Sequence, residues 1–230
     1  MSDLPAPIEI STLSHDVAPP SDLISDSICL EHLLVCRGDL RLCERVQAQI
    51  ATGQIWQLMG ENGTGKTTLL LMLAGILPVQ SGQLRWRDQP ASQWSAIYIG
   101  HASGLNQSLC VLDNLTFLCG LNAQPVTTEQ LFAAIERVGL AGYEFVAVAR
   151  LSSGQKRRVQ LARLWLPNPA ELWLLDEPLT ALDVRMVAAL NTRLTQHAQQ
   201  GGRVILTSHQ PVAAVTHQLD LQVFRLTWES

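Results

Sequence analysis

The feature that most restricts the fold of this chain is a glycine-rich segment lying between two apolar runs. Residues 60–67 read Gly-Glu-Asn-Gly-Thr-Gly-Lys-Thr and fit the pattern G-x-x-x-x-G-K-[ST] without a mismatch. The apolar run Ile55 to Met59 precedes this segment, and a helix-like run from Lys66 to Ala74 follows it and stops at Gly75. The order predicts a strand, a tight loop and a helix, which is the local structure of a phosphate-binding loop in an α/β protein.

The residue types in this loop suit the binding of a nucleotide's phosphates. Glycines let successive backbone N–H groups converge on phosphates, and the N-terminus of the following helix adds unpaired N–H groups and the positive end of its dipole. Lys66 is expected to reach the β- and γ-phosphates, and the Thr67 hydroxyl is expected to bind Mg²⁺. The alternative is a chance glycine-rich turn, but the motif, the preceding strand and the following helix all favour a phosphate-binding loop. The candidate nucleotide-binding residues here are Gly60, Glu61, Asn62, Gly63, Thr64, Gly65, Lys66, Thr67 and Thr68.

Polar residues that can act on a phosphate follow two later apolar runs. Asp176 and Glu177 come directly after Leu172 to Leu175, and His209 follows the run that begins at Val204. Ligands of parallel α/β sheets bind at the carboxyl ends of strands. Asp176 is therefore predicted to hold Mg²⁺ through its water shell, Glu177 to orient or deprotonate the attacking water, and His209 to contact the γ-phosphate. Helix-capping acids and a structural histidine are the alternatives.

The chain divides into an arm and one domain. Residues 1–27 are rich in Pro, Ser and Asp and lack sustained periodicity, which predicts a flexible acidic arm with room for a short docked strand. Residues 28–230 alternate between strands and helices and are predicted to form a domain built on a parallel sheet covered on both faces. Within that domain, residues 103–165 are mostly helical, and Thr127 or Thr128 can cap one of these helices.

Charge and apolar patterning exclude several classes of protein. The formal net charge is −4, and residues 1–36 contain six acidic and no basic residues, which leaves a nearly neutral remainder. A nucleic-acid binder needs a basic footprint, so no nucleic-acid partner is expected. The five cysteines form no C-x-x-C pair and are predicted to be free thiols. No segment resembles a signal peptide or a membrane span, which predicts a cytoplasmic protein.

Three further segments carry a resemblance to a known family. Residues 151–155, Leu-Ser-Ser-Gly-Gln, resemble the LSGGQ signature of ABC-type ATPases. Thr180-Ala181-Leu182-Asp183 resembles the D-loop of that family, and His209 resembles its switch histidine. With the phosphate loop and the pair of carboxylates, these motifs stand in the order of the family, and the resemblance covers roughly residues 28–226.

This resemblance implies a fold and an assembly. The fold is a P-loop NTPase of the ABC type, with a RecA-like core, an antiparallel β subdomain and a helical signature subdomain at about residues 103–165. The assembly is a head-to-tail ATPase dimer attached to integral membrane subunits, in which each signature contacts the ATP held by the other subunit. The residues assigned to the signature contact are Ser152, Ser153, Gly154 and Gln155, and Asp183 is assigned to the D-loop.

The sequence departs from the family pattern at three positions. Ser153 stands where the signature usually has a glycine. His101 aligns with a glutamine that touches Mg²⁺ and the membrane partner, and it is expected to be a weaker polar substitute for that metal contact. Arg37 aligns with the aromatic residue that stacks on adenine, and a guanidinium can also stack on a base.

Finer features resemble one branch of the family. Ile99-Gly100-His101, the basic run after Gln155, Leu172-Trp173 and Thr207-Ser208-His209-Gln210 occur together, as in the ATP-binding subunit of the haem exporter of bacterial cytochrome c maturation. This implies a peripheral protein on the cytoplasmic face of the inner membrane, in which ATP hydrolysis serves the release of haem-loaded chaperone. The alternatives are an ABC ATPase with another cargo and a soluble ATPase of iron–sulfur assembly.

Overall fold

The computed structural model describes residues 26–87, 89–121, 125–167 and 170–225. Most of the predicted acidic arm, residues 1–25, lies outside the described residues. The strands are β1 (Ile28–Arg37), β2 (Leu40–Ile50), β3 (Ile55–Met59), β4 (Gln83–Arg85), β5 (Ala96–Ile99), β6 (Leu172–Leu175), β7 (Arg203–Thr207) and β8 (His217–Asp220). The helices are α1 (Lys66–Leu73), α2 (Val111–Leu121), α3 (Thr128–Arg137), α4 (Ser153–Ala162) and α5 (Val184–Gln199), with short 3-10 turns between them.

The strands form two sheets of different kinds. β2, β1 and β4 make an antiparallel sheet in that order, and β5, β6, β7, β3 and β8 make a parallel sheet in that order. A parallel sheet flanked by helices, an added antiparallel sheet and a separate group of helices are the parts expected for an ABC-type P-loop fold. The predicted fold class is confirmed.

The parallel sheet is buried on both faces because the residues of its central strands alternate between two cores. In β6, Leu172 and Leu174 pack into a core shared with α1 and the antiparallel sheet. Trp173 and Leu175 point the opposite way and pack against Leu190 and its neighbours on α5. All four residues of β6 are buried, which explains why this strand reads as a continuous apolar run.

The segment between β5 and β6 is helical and has its own core. Apolar residues of α2, α3 and α4 pack together there, with Leu115, Ile135 and Val159 fully buried. Thr127, one of the two predicted caps, begins α3 with a capping box: its hydroxyl accepts the Gln130 N–H at 3.3 Å, and the Gln130 Oε1 accepts the Thr127 N–H at 2.9 Å. No helix among the described residues is both long and apolar enough to cross a membrane.

The strand order brings the candidate site together. β6, β7 and β3 are neighbours in the parallel sheet, so their carboxyl ends lie at one edge. Residues 60–67 follow β3, Asp176 follows β6, and His209 lies two residues after β7. Segments that are far apart in the chain therefore meet where a parallel sheet binds its ligands.

The predicted arm and the structure differ in extent. The last two residues of the predicted arm, Asp26 and Ser27, are described, and Ser27 is buried. Asp26 accepts hydrogen bonds from Trp86 Nε1 at 3.1 Å and Arg87 Nε at 2.6 Å, so this end of the arm is docked on the body. All five cysteines are free thiols, as predicted.

Candidate active site

The loop at residues 60–67 has a backbone that depends on glycine. Gly60, Gly63 and Gly65 have φ angles of 129°, 85° and 101°, which lie in the left-handed region that other residues avoid. A Cβ on Gly60 would lie 2.7 Å from the Thr64 Oγ1, and a Cβ on Gly65 would lie 3.0 Å from a methyl group of Val35. The loop therefore has the backbone turn and the bare inner surface that a phosphate chain requires.

The ammonium of Lys66 lies across this loop. Lys66 Nζ donates to the carbonyls of Gly60 at 2.6 Å and Glu61 at 2.9 Å. The buried Cys43 thiol donates to the Thr64 carbonyl of the loop at 3.0 Å. Burial raises the pKa of Cys43 to about 11, so the thiol stays neutral and keeps its proton for this hydrogen bond. Bound phosphates would offer Lys66 anionic acceptors in place of these neutral carbonyls, and charge-assisted hydrogen bonds are stronger.

A hydroxyl and a carboxylate form the candidate Mg²⁺ site. Thr67 Oγ1 donates to Asp176 Oδ2 at 2.8 Å, and the second oxygen of Asp176 accepts from Thr207 Oγ1 at 2.7 Å. Asp176 is buried. In the described part of the chain no three His, Cys, Asp or Glu side chains converge on one point. Mg²⁺ in nucleotide sites takes one or two protein oxygens and completes its shell with phosphates and water, so this oxygen pair fits it.

Glu177, the candidate base, has an unusual backbone conformation. Its φ angle is +51°, which is strained for a residue with a side chain. Its N–H donates to Thr207 Oγ1 at 2.8 Å, so Thr207 holds both candidate carboxylate residues. Its carboxylate accepts the backbone N–H of His209 at 3.3 Å and lies 3.5 Å from His209 Nε2. The structure thus brings both predicted catalytic residues together.

The signature residues lie at the N-terminus of α4. Ser152 and Gln155 form a capping box, in which the Ser152 hydroxyl accepts the Gln155 N–H at 3.2 Å and the Gln155 Oε1 accepts the Ser152 N–H at 2.9 Å. A Cβ on Gly154 would lie 2.6 Å from the Ala181 carbonyl, whereas Ser153 is exposed. The packing therefore explains why serine is accommodated at position 153 and glycine is required at position 154.

Three predicted residues lie at the margins of this site. Asp183 caps α5 by accepting the Met186 N–H at 2.8 Å, and it also pairs with Arg158. Arg37 is exposed at the end of β1, at the hairpin that lies against the phosphate loop. His101 is exposed beyond β5, and among the described residues it makes no hydrogen bond to the Mg²⁺ candidates.

Two residues of the site were missed at the level of sequence. Thr207 ends β7 and supports both carboxylate residues, and its position after the apolar run Val204 to Leu206 was the available signal. Arg157 on α4 is buried and donates to the backbone carbonyls of Asp176 and Glu177. A basic residue at a buried position of an amphipathic helix was the signal for that contact.

Comparisons with known proteins agree with this geometry. A family model described as "ABC transporter" matches residues 43–180. The chain is 42% identical over 191 residues to the cytochrome c biogenesis ATP-binding export protein CcmA of Vibrio cholerae, covering 80% of this chain and 92% of that protein. It is 45% identical over 193 residues to the CcmA of Saccharophagus degradans, covering 78% and 86%. Its identity to the CcmA of Yersinia pestis is 43% over 195 residues, covering 82% and 88%.

Solved structures share the fold at lower identity. A putative ABC transporter ATP-binding protein from Pyrococcus furiosus superposes with a TM-score of 0.77 at 24% identity, covering 87% of this chain and all of that one. An ATP-binding subunit of an ABC transporter superposes with a TM-score of 0.70 at 20% identity, covering 80% and 79%.

Proposed function

The chain belongs to the ABC transporter family, and we propose that it is the ATPase subunit of the haem exporter used in c-type cytochrome biogenesis. The observation that best supports ATPase activity is the 2.8 Å hydrogen bond between Thr67 and Asp176. It joins the phosphate loop to the end of β6, where Glu177 lies. The cytochrome part is supported by the relatives named for cytochrome c biogenesis, at 42 to 45% identity over about four fifths of the chain.

In this proposal each side chain has one task in ATP hydrolysis. Lys66 would leave its carbonyl partners for the β- and γ-phosphates. Thr67 and Asp176 would hold Mg²⁺, which would supply positive charge to the phosphate oxygens. Glu177 orients the attacking water and accepts its proton. His209 is largely exposed and lies 3.5 Å from that carboxylate, and we assign it a contact with the γ-phosphate.

The signature residues belong, in this proposal, to the site of a second subunit. Ser152 and Ser153 are exposed at the N-terminus of α4, where unpaired N–H groups and the positive end of the helix dipole favour an anion. A head-to-tail dimer would let the γ-phosphate bound by one chain meet that helix end on the other. Arg37 at the β1 hairpin is the proposed partner of the adenine ring, and His101 is the proposed weak substitute for the metal-contacting glutamine.

We also propose a location in the cell and domain boundaries for this protein. We assign the protein to the cytoplasmic face of the bacterial inner membrane, held there by integral membrane subunits. Residues 28–230 form the ATPase domain, residues 103–165 form its helical subdomain, and residues 1–27 form the acidic arm. Hydrolysis would open the dimer and drive release of haem-loaded chaperone through the attached membrane subunits.

Deletion of the gene in its bacterial host tests the cytochrome assignment. We expect the deletion strain to lack c-type cytochromes on a haem-stained gel and to keep normal iron–sulfur enzyme activities. The wild-type gene should restore the cytochromes, and a Glu177→Gln gene expressed at the same level should not. Normal cytochromes in the deletion strain would contradict the haem assignment, and a loss of iron–sulfur enzymes instead would favour a role in iron–sulfur assembly.

A further inference from the structure

One buried arginine of α4 contacts the backbone on which the candidate base sits. Arg157 Nη2 donates to the carbonyls of Asp176 at 2.6 Å and Glu177 at 2.8 Å. Its other terminal nitrogen, Nη1, donates to the carbonyl of Gly100 at 2.7 Å. The guanidinium therefore joins the ends of two neighbouring strands, β5 and β6, at the carboxyl edge of the sheet.

A glutamine one turn further along α4 extends this contact along the segment that follows β5. The Gln160 Oε1 accepts from Arg157 Nη1 at 3.0 Å. Its Nε2 donates to the carbonyls of Ala102 at 3.1 Å and Ser103 at 2.6 Å. Both side chains are buried, so α4 is fixed by five hydrogen bonds to the backbone of two segments beside the site: residues 100–103 and the pair Asp176 and Glu177.

The contact matters because the backbone of Glu177 is strained. A φ angle of +51° is unfavourable for a residue with a side chain, and it persists only where the surroundings enforce it. Thr207 holds the Glu177 N–H on one side, and Arg157 holds the Glu177 carbonyl on the other. The direction in which the Glu177 carboxylate points is thus set partly by the position of α4.

The same helix begins at the signature. Ser152 caps α4, and Arg157 lies five residues further along a continuous helix. Because Arg157 lies on the same continuous helix, a rigid displacement of the N-terminus of α4 also moves the Arg157 guanidinium. We propose that Arg157 is a positioning residue that couples the location of the signature helix to the orientation of Glu177. This inference rests on the proposed ATPase function and adds a residue to it.

The chemistry of the contact favours this role over simple packing. Arg157 faces backbone carbonyls, and its Nε has no hydrogen-bond partner among the described residues. Burial lowers the pKa of Arg157, and the charges of Asp176 and Glu177 partly offset that effect. Buried charge is costly unless it is hydrogen-bonded, and Arg157 donates to the carbonyls of Gly100, Asp176 and Glu177 where a packing residue would offer only apolar atoms. A planar guanidinium can reach three carbonyls in fixed directions, which a lysine ammonium cannot do equally well.

The test compares Arg157→Lys with a matched variant, Arg163→Lys. Arg163 is a half-buried arginine beside β5, and it donates to the Tyr98 carbonyl at 3.3 Å, away from the two carboxylate residues. For each full-length protein we would measure kcat and KM for ATP, the Kd for a fluorescent ATP analogue, and the melting temperature. We expect Arg157→Lys to lower kcat about tenfold or more while KM and Kd change less than about twofold, because a misplaced base slows only the chemical step.

The control separates positioning from stability. Arg163→Lys should lower the melting temperature and leave kcat close to that of the wild type. Equal effects of the two substitutions on kcat, or a loss that lies in KM alone, would overturn the positioning role. Absence of turnover in the wild-type protein, assayed together with its membrane subunits, would instead contradict the proposed function itself.

A second variant keeps the test decisive if lysine at position 157 prevents folding. Arg157→Ala leaves a space of the right shape for a free guanidinium ion. Guanidinium at low millimolar concentration should restore part of the lost turnover, and methylammonium at the same concentration should not, because only the planar ion bridges several carbonyls. Equal restoration of turnover by both ions, or no restoration by either ion, would contradict a role that depends on the planar, multidentate guanidinium group.

Discussion

The Thr67 hydroxyl donates to Asp176 Oδ2 at 2.8 Å, although 109 residues separate the two in the chain. Thr67 lies on α1, which follows β3 and the phosphate loop, and Asp176 follows β6. These two strands are not adjacent, because β7 lies between them. Thr207 at the end of β7 donates to the other oxygen of Asp176 at 2.7 Å. The Mg²⁺ candidate site is therefore assembled across three neighbouring strands, and the middle strand fixes the carboxylate.

Asp176→Asn should remove the effect of Mg²⁺ on nucleotide affinity. Asparagine keeps the shape of the side chain but has no negative charge for the cation and its water shell. We expect the Mg²⁺-dependent part of ATP affinity to fall by about 10- to 100-fold, and affinity in the presence of a chelator to stay unchanged. Titration of a fluorescent ATP analogue with and without Mg²⁺ measures this. Asp113→Asn on α2 serves as the control, and an undiminished Mg²⁺ effect in Asp176→Asn would contradict the assignment.

Glu177→Gln should separate binding of ATP from its hydrolysis. The amide has almost the same shape as the carboxylate but cannot accept a proton from water. We expect turnover to fall by about 10² to 10⁴, with ATP affinity within about twofold of the wild type. Phosphate release and nucleotide titration on the same preparation give the two values, with the exposed Glu136→Gln as control. Turnover at the wild-type rate would show that Glu177 is not the base.

Lys66→Ala should weaken the binding of ATP itself. The substitution removes the cation that lies across the phosphate loop, so the phosphate charge loses its nearest side-chain partner. Lys66→Arg should also bind poorly, because a planar guanidinium does not fit where a compact ammonium bridges two carbonyls. Direct titration by calorimetry tests both variants, with Arg137→Ala at the end of α3 as a charge control. Unchanged affinity in Lys66→Ala would remove Lys66 from the nucleotide site.

Local pattern was enough to predict the parts of the site that depend on adjacent residues. The phosphate loop could be recognised because glycine, lysine and threonine must stand at fixed spacing between a strand and a helix. The meeting of Asp176 with Thr67 could also be expected, since all parallel strands present their carboxyl ends at one edge. That expectation needed only the alternation of strands and helices, which apolar runs and glycine stops reveal.

The remaining parts depend on strand order and on tertiary packing. The apolar run Val204 to Leu206 shows that Thr207 ends a strand, but its role follows from the insertion of β7 between β6 and β3, and local pattern does not encode strand order. Asp26 was assigned to a flexible arm because its neighbours are polar and rich in proline. In the structure, burial alone would raise the pKa of Asp26, but hydrogen bonds from Arg87, Trp86 and Arg203 hold it well below its usual range. All three partners come from distant segments.

A buried histidine outside the active site makes stability depend on pH. His197 on α5 stacks on Trp173 of β6, with ring centroids 3.7 Å apart and planes 2° apart. Burial lowers the pKa of His197 from 6.5 to about 4, and the positive charge of Arg193 acts in the same direction. The unfolded chain therefore binds a proton at higher pH than the folded chain does. Stability from this group is complete above pH 6.5 and is lost as the pH falls from 6.5 towards 4.

His197→Phe should flatten that part of the pH profile. Phenylalanine can keep the stack on Trp173 and has no proton to bind. The shift in pKa corresponds to about 3 kcal/mol of unfolding free energy, so the wild type should lose roughly that much between pH 6.5 and 4 beyond what the variant loses. Urea unfolding at a series of pH values gives the difference, and His101→Gln controls for loss of an exposed histidine. The interpretation fails if the two profiles fall in parallel, since His197 would then titrate alike in the folded and unfolded chains.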